Sequence, residues 1–224
     1  MFLSNLVLAV DYDLVFIVET WMSSIRRDAL VVPPGYNIVR KDRTHKKGGG
    51  ILVLYKSCHT VIDVLNEVSE TVEYICLDLL IPAHKKQLRF MCVYCPPDLS
   101  RRTTYVKDLT DCIKVCKKNC KEFYLLGDFN MPAINWKSLR STTKAGEMFL
   151  DFCVETGLSQ YVQEPTHKSG SVLDLLLCEE TCHKHVSSIC IRPPLSATCD
   201  HNVIEFLLEF EKNSGHLCKP SSNN

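Results

Sequence analysis

No stretch of this chain holds the roughly 18 consecutive apolar residues that a bilayer-spanning helix needs, so no membrane span is expected. It also lacks an excess of either charge, with 26 Lys and Arg against 26 Asp and Glu. Proteins that grip long nucleic-acid tracts draw much of their affinity from basic excess. Neutrality therefore counts against an extended clamp, but not against an enzyme that touches a few phosphates. Met1-Phe2-Leu3-Ser4-Asn5 lacks the basic segment and small-residue cleavage site of a secretory leader. An intracellular location without disulfides is the expectation. Internal repeats and low-complexity tracts are absent as well.

Cysteine, by contrast, is plentiful, at 13 residues. The spacings do not make a metal site. Cys112, Cys116 and Cys120 recur every four residues, which is one stripe of a helix, where free cysteine packs as a small hydrophobe. Cys178, Cys182, His183 and His185 cluster, but in an order that fits no common zinc pattern. A length of 224 residues with 46% hydrophobic and 23% charged side chains suits one globular domain. Residues 1–211 are assigned to it, leaving 212–224 as a polar tail or linker. Two basic runs, Arg40-Lys41-Asp42-Arg43-Thr44-His45-Lys46-Lys47 and Arg101-Arg102, read first as solvated loops and second as phosphate contacts.

Apolar runs of four to eight residues read as buried strands. Leu14 to Val18, Tyr36 to Val39, Ile51 to Tyr55, Thr60 to Leu65, Val72 to Ile81 and Leu88 to Tyr94 form a strand-rich first half. Phe123 to Leu126, Val172 to Cys178, Val186 to Ile191 and Val203 to Phe210 follow. Helices are expected at Ser4 to Val10, Ser23 to Leu30, Thr103 to Cys120 and Gly146 to Thr156, the last ending on Gly157 as a cap. The pattern predicts an α/β (α+β) four-layered sandwich, with two mixed sheets packed face to face and helices outside.

Polar residues stand at the tips of several of these runs. Asp128 and Asn130 follow Phe123-Tyr124-Leu125-Leu126, Asp174 precedes Leu175-Leu176-Leu177, and Asp200-His201 precede Val203-Ile204. Glu19 follows Leu14 to Val18. Taken singly, each is best read as a turn or cap residue. Taken together, they supply the groups that cleave phosphate esters with a hard metal ion. The spacing Asp128-x-Asn130 would put both side chains on one side of an extended chain. Asp174 could pair with His201 and raise its pKa.

Six segments in order carry a resemblance: Glu19-Thr20-Trp21, Gly48-Gly49-Gly50, Val93-Tyr94-Cys95-Pro96-Pro97, Gly127-Asp128-Phe129-Asn130, Ser171-Val172-Leu173-Asp174 and Asp200-His201. The set resembles the endonuclease/exonuclease/phosphatase superfamily. Its Glu-Thr-Trp and Ser-x-Leu-Asp-Leu forms look most like the endonuclease domain of non-LTR (LINE-type) retrotransposons, as do Pro33-Pro34-Gly35-Tyr36 and Glu164-Pro165-Thr166. The resemblance implies a divalent cation, Mg²⁺ or Mn²⁺, held by Glu19 with Asp200 near it. It implies that Asp128 orients or deprotonates the attacking water and that Asn130 holds it. His201, paired with Asp174, would contact the scissile phosphate, and Tyr94 would donate to that phosphate or support it. The implied substrate is double-stranded DNA, nicked to expose a 3′ hydroxyl, with a reverse transcriptase domain on the same element and a nuclear site of action.

The chain departs from that pattern in three places. It begins in what should be the helix after the family's first strand, so that strand and its Asn are expected to be missing. Cys199 stands where Ser is usual, and His167 where Arg is common. Two other readings therefore stay open: a catalytically inactive truncated or domesticated fragment, and a phosphatase of the same superfamily.

Overall fold

The computed structural model describes residues 2–23, 25, 27–43, 48–65, 69 and 71–210. The second half of the first basic run, residues 44–47, and the polar tail fall outside the described residues. The chain begins with helix α1 (Phe2–Val10) and strands β1 (Leu14–Val18), β2 (Tyr36–Lys41), β3 (Ile51–Lys56) and β4 (Thr60–Leu65). Strands β5 (Glu73–Ile81) and β6 (Lys86–Tyr94) precede helix α2 (Thr103–Lys117) and strand β7 (Phe123–Asp128). A two-residue hairpin, β8 (Ile134–Asn135) and β9 (Arg140–Ser141), leads into α3 (Lys144–Thr156) and β10 (Ser159–Gln160). Strand β11 (Asp174–Cys178), helix α4 (Glu180–His183), β12 (Val186–Arg192) and β13 (Val203–Leu208) complete it.

Six strands form one mixed sheet in the order β10-β11-β7-β6-β5-β4, in which only the β6–β7 pair is parallel. Side chains on a strand alternate between its two faces, and this sheet buries both. One face of β6 and β7 presents Met91, Val93, Phe123 and Leu125 to α2 and α3, which supply Leu109, Ile113 and Phe149. The other presents Leu88, Phe90, Cys92, Tyr124 and Leu126 to a second layer of strands. That layer is in two pieces among the described residues, an antiparallel β1-β3-β2 sheet and the β12–β13 pair. Both pieces pack on the same face, with Phe16, Ile51 and Val53 from the first and Ile191, Ile204 and Phe206 from the second. Helix α1 covers the back of the three-stranded piece through Val7, against Leu52 and Leu54. The result is the expected four layers, helix, strands, strands, helices.

Helix α3 shows how locally the ends are set. Thr143 caps its start, its hydroxyl accepting from the Gly146 N–H at 3.2 Å. Gly157 closes it in the left-handed conformation, φ 68°. Between Ser23 and Leu30 the described residues form only a 3₁₀ turn, Asp28–Leu30, rather than the expected helix. No large apolar side chain of that turn is buried to hold a longer one. The twelve described cysteines are free. Cys92 and Cys95 are a C-x-x-C pair, but their odd spacing along β6 sends them to opposite cores, so they do not form a chelate. His183 stacks on Tyr161 at 3.7 Å instead of joining a zinc cluster. No helix among the described residues is long and apolar enough to cross a membrane.

Candidate active site

Strand register builds the site. Across the six-stranded sheet, Glu73 on β5 stands opposite Tyr94 on β6, Tyr94 opposite Asp128 on β7, and Asp128 opposite Asp174 on β11. Four polar residues thus form one row at one end of the sheet. Residues opposite each other point to the same face, here the face turned to the second layer. That layer adds Glu19, just past the end of β1, and His201, just before β13. The Tyr94 hydroxyl donates to the Glu19 carboxylate.

Asp128 is 3% exposed. Its carboxylate accepts from the Asn130 backbone N–H at 2.9 Å and from Asn130 Nδ2 at 2.7 Å. Asn130 does not continue the strand. It sits at φ 49°, so the chain folds back on Asp128 in a turn, and the extended spacing expected from the sequence is corrected. Asn130 Nδ2 also donates to the Cys95 carbonyl at 3.0 Å, which ties the Pro96-Pro97 segment to this turn. Gly127 has a reason to be glycine: at φ 127°, a Cβ would lie 2.0 Å from the Val93 carbonyl oxygen.

His201 Nδ1 lies 2.8 Å from Asp174 Oδ2, and its Nε2 is 4.0 Å from Asp128 Oδ2. The Asp174 hydrogen bond, with the nearby carboxylates, lifts the His201 pKa to about 9. Burial, then the Asp174 charge, pushes Asp128 up to about 8, against the opposing pull of His201 and the Asn130 N–H. Burial and the bond to Glu19 raise the Tyr94 hydroxyl. Asp200 lies outside this pocket of desolvation. Lys168 at 3.3 Å, with His167 at 3.5 Å, holds its carboxyl below the usual range.

Two sets of side chains bring cation-ligating atoms within 4.8 Å of one another: Asp128, Asp174 and His201, and His167, Asp200 and His201. The first offers two hard carboxylates on one histidine, a donor set that suits Mg²⁺ or Mn²⁺. Glu19 belongs to neither set; its carboxylate accepts from the Tyr94 hydroxyl. The structure therefore joins Tyr94, Asp128, Asn130, Asp174 and His201 directly, Glu19 through Tyr94, and Asp200 through its chain neighbour His201.

Three positioning residues escape a reading of the strand tips. Thr166 is fully buried, and its hydroxyl accepts from both the Leu173 and Asp174 N–H groups at 2.9 and 3.0 Å. Its carbonyl accepts from Asn202 at 2.7 Å, so one residue fixes the approach of β11 and the His201 segment. Arg43 pairs with Glu73, its Nε 2.7 Å from Oε2, and its guanidinium lies 5.5 Å from the centre of the Tyr94 ring. The other Glu73 oxygen accepts from the Gly50 N–H. Gly49 and Gly50 in turn accept from Trp21 and Thr20 at 2.9 and 3.2 Å, which holds the loop that carries Glu19. A Cβ at Gly49 would lie 2.4 Å from the Arg43 guanidinium, so the glycines admit this clamp. Pro165-Thr166 and the three glycines were the only sequence signals for it.

Residues 88–205, more than half of the chain, match a family model described as endonuclease-reverse transcriptase. The matched span holds every row residue except Glu73. None of the curated proteins matches the sequence. Among solved structures, the endonuclease domain of TRAS1, a telomere-specific non-LTR retrotransposon, superposes with a TM-score of 0.71 at 15% identity, over 92% of this chain and 90% of that one. The 3′ phosphatase NExo from Neisseria, bound to a product DNA hairpin, gives 0.68 at 12% identity over 92% of each chain. The AP endonuclease LMAP from Leishmania major gives 0.66 at 15%, over 94% of this chain and 82% of that one. At such identities the likeness is one of fold.

Proposed function

Because the chain belongs to the endonuclease-reverse transcriptase family, with the endonuclease/exonuclease/phosphatase fold, we propose that it is a divalent-metal-dependent endonuclease that nicks double-stranded DNA. The observation that carries the reading is the buried Asp128, held by Asn130 and set beside the Asp174–His201 pair. A buried carboxyl raised to about 8 is matched to taking a proton from water near neutral pH. Asn130 keeps that carboxylate in one orientation. Asp174 fixes the proton on His201 Nδ1 and keeps the ring cationic, so His201 can donate from Nε2 to a phosphate oxygen as negative charge grows. Tyr94 orients Glu19 through its hydroxyl.

Mg²⁺ or Mn²⁺ would be held at the Asp128 and Asp174 carboxylates, with Glu19 and Asp200, the ligands that the resemblance implies, beside them, and when bound would supply electrostatic stabilisation to the phosphodiester. The retroelement branch of the resemblance extends the proposal. The nick would expose a 3′ hydroxyl that primes a reverse transcriptase domain of the same element, in the nucleus.

The test is purified chain with supercoiled plasmid and Mg²⁺, beside His201→Ala and Asp128→Ala. The expected result is conversion to open circles by the wild type and loss in both variants. Nicking that is absent, or that survives both substitutions, contradicts the proposal. Release of phosphate from 3′-phosphorylated DNA without nicking would favour the phosphatase reading, and inertness in both assays the inactive fragment.

A further inference from the structure

Two histidines stand side by side at the edge of the site. His167 and His201 form an isolated antiparallel bridge. The Lys168 N–H donates to the Asp200 carbonyl at 2.9 Å, and the Asn202 N–H to the Thr166 carbonyl at 2.7 Å. These bonds flank the pair, so it is the close, non-hydrogen-bonded kind, in which Cα atoms are about 4.5 Å apart and side chains share a face. The rings meet edge to face, their centres 4.8 Å apart. His167 Nε2 is 3.5 Å from Asp200 Oδ2. Ligand atoms of His167, Asp200 and His201 all lie within 4.8 Å of one another.

The far side of each ring is already held. Asp174 binds His201 Nδ1 at 2.8 Å, which leaves Nε2 for a ligand. His167 Nδ1 lies 2.7 Å from the Ser169 hydroxyl and 3.1 Å from the Ser169 N–H. A cation on His167 Nε2 moves the ring proton to Nδ1, where the hydroxyl is the acceptor. Partners of this kind orient the histidines of metal sites and raise their basicity. Two imidazoles and one carboxylate make an open zinc site, with a fourth position left for water. Tetrahedral bonds of roughly 2.0–2.1 Å place donors about 3.3 Å apart, close to the His167–Asp200 separation. Side-chain exposures of 18%, 48% and 32% for His167, Asp200 and His201 admit an ion from solvent. Lys168, 3.3 Å from Asp200, is 73% exposed and can withdraw into water.

We propose that His167, Asp200 and His201 bind one Zn²⁺ ion, and that this ion turns nicking off by occupying His201 Nε2. The binding rests on geometry alone, and its consequence rests on the nuclease reading. The two imidazoles separate this site from the Asp128–Asp174 carboxylates, which suit a harder ion. A zinc-bound Nε2 carries no proton, so His201 loses the hydrogen bond it would give to a phosphate oxygen.

Zn²⁺ binding is measured by calorimetry in a Cys58→Ser, Cys199→Ser, Cys218→Ser background, which removes two exposed thiols and that of the tail. Co²⁺ serves as a coloured stand-in, since it absorbs strongly in the visible only when four- or five-coordinate. The expected results are one ion per chain, visible Co²⁺ bands, and binding at least tenfold weaker in His167→Ala, His167→Arg and the half-exposed Asp200→Asn, each shown folded by thermal melting. His167→Arg keeps a cation beside Asp200 but offers no lone pair. Zn²⁺ added to the Mg²⁺ plasmid assay is expected to lower wild-type nicking at least tenfold, and that of His167→Arg less than twofold. Zinc binding of unchanged strength in these variants, or Co²⁺ without visible bands, overturns the site. Inhibition as deep in His167→Arg as in the wild type overturns the switch. Zinc bound through His167 by a chain that nicks under no condition sinks the nuclease reading and leaves the zinc site standing.

Discussion

Two aspartates are buried in the six-stranded sheet to nearly the same depth, Asp78 at 5% exposure and Asp128 at 3%. Asp78 stands opposite Arg89 across β5 and β6. The guanidinium forks onto it, Nε at 2.6 Å from one oxygen and Nη2 at 2.7 Å from the other, and Gln87 adds a third bond. Arg89 also donates to the Cys116 and Lys118 carbonyls, so the pair anchors the end of α2. Asp128 stands opposite another acid, Asp174, and its bonded partner is a neutral amide. Burial there is answered chiefly by a raised pKa, with the His201 Nε2 4.0 Å away rather than bonded to the carboxylate. One buried acid rivets the fold. The other is held at a cost to the fold and is available for chemistry.

The largest expected effect separates the two directly. Asp128→Asn should lower plasmid nicking by about 10²–10⁴-fold, the range for removing a general base. Its melting temperature should hold or rise, because the repulsion with Asp174 is gone. Asp78→Ala should do the reverse, costing about 3–5 kcal/mol in urea unfolding by stranding the Arg89 charge, while the folded fraction keeps its nicking rate. Thr166→Val tests the support beneath the site. It leaves two buried N–H groups without their acceptor, at about 1–3 kcal/mol each at most. The loss would be read as lower stability together with reduced nicking as Asp174 and His201 drift apart.

The smallest effect is a slope. Asp128 and His201 both have folded-state pKa values above their ordinary ones, about 8 and about 9. The folded chain therefore binds more protons than the unfolded chain over that range, and stability falls as pH rises. The His201 contribution is fully present below its ordinary value, near pH 6.5, and is lost through about pH 9. The Asp128 contribution is lost from the ordinary carboxyl range up to about pH 8. Melting temperatures from pH 6 to 9.5 should decline, and less steeply in Asp128→Asn and in His201→Ala. An unchanged slope in both would contradict the electrostatic account.

Much of this layout is legible in the sequence. Apolar runs mark β1, β3, β6, β7 and β11, and of the polar residues at their tips register sets Asp128 and Asp174 side by side, next to Tyr94. What escapes is pairing between layers. Arg43 reads as part of a solvated basic run, and nothing in its neighbourhood names Glu73, which it meets 30 residues later. Thr166 enters the sequence reading only as part of Glu164-Pro165-Thr166, because its two partners are backbone N–H groups that no side-chain pattern marks. Asn130 reads singly as a turn residue and jointly with Asp128 as part of an extended pair, and the turn is what forms. The Ser23 to Leu30 segment carried a helical pattern but has no core to hold it. Periodicity reports which face is buried, not which partner lies on the other side.

The central claim is that Asp128 serves chemistry and Asp78 serves the fold. It is tested most directly by the plasmid-nicking rate of Asp128→Asn, from a preparation shown by thermal melting to be folded. The account predicts a rate at least 100-fold below wild type with the melting temperature unchanged or higher. A rate near wild type, or a loss of nicking that merely tracks unfolding, would contradict it.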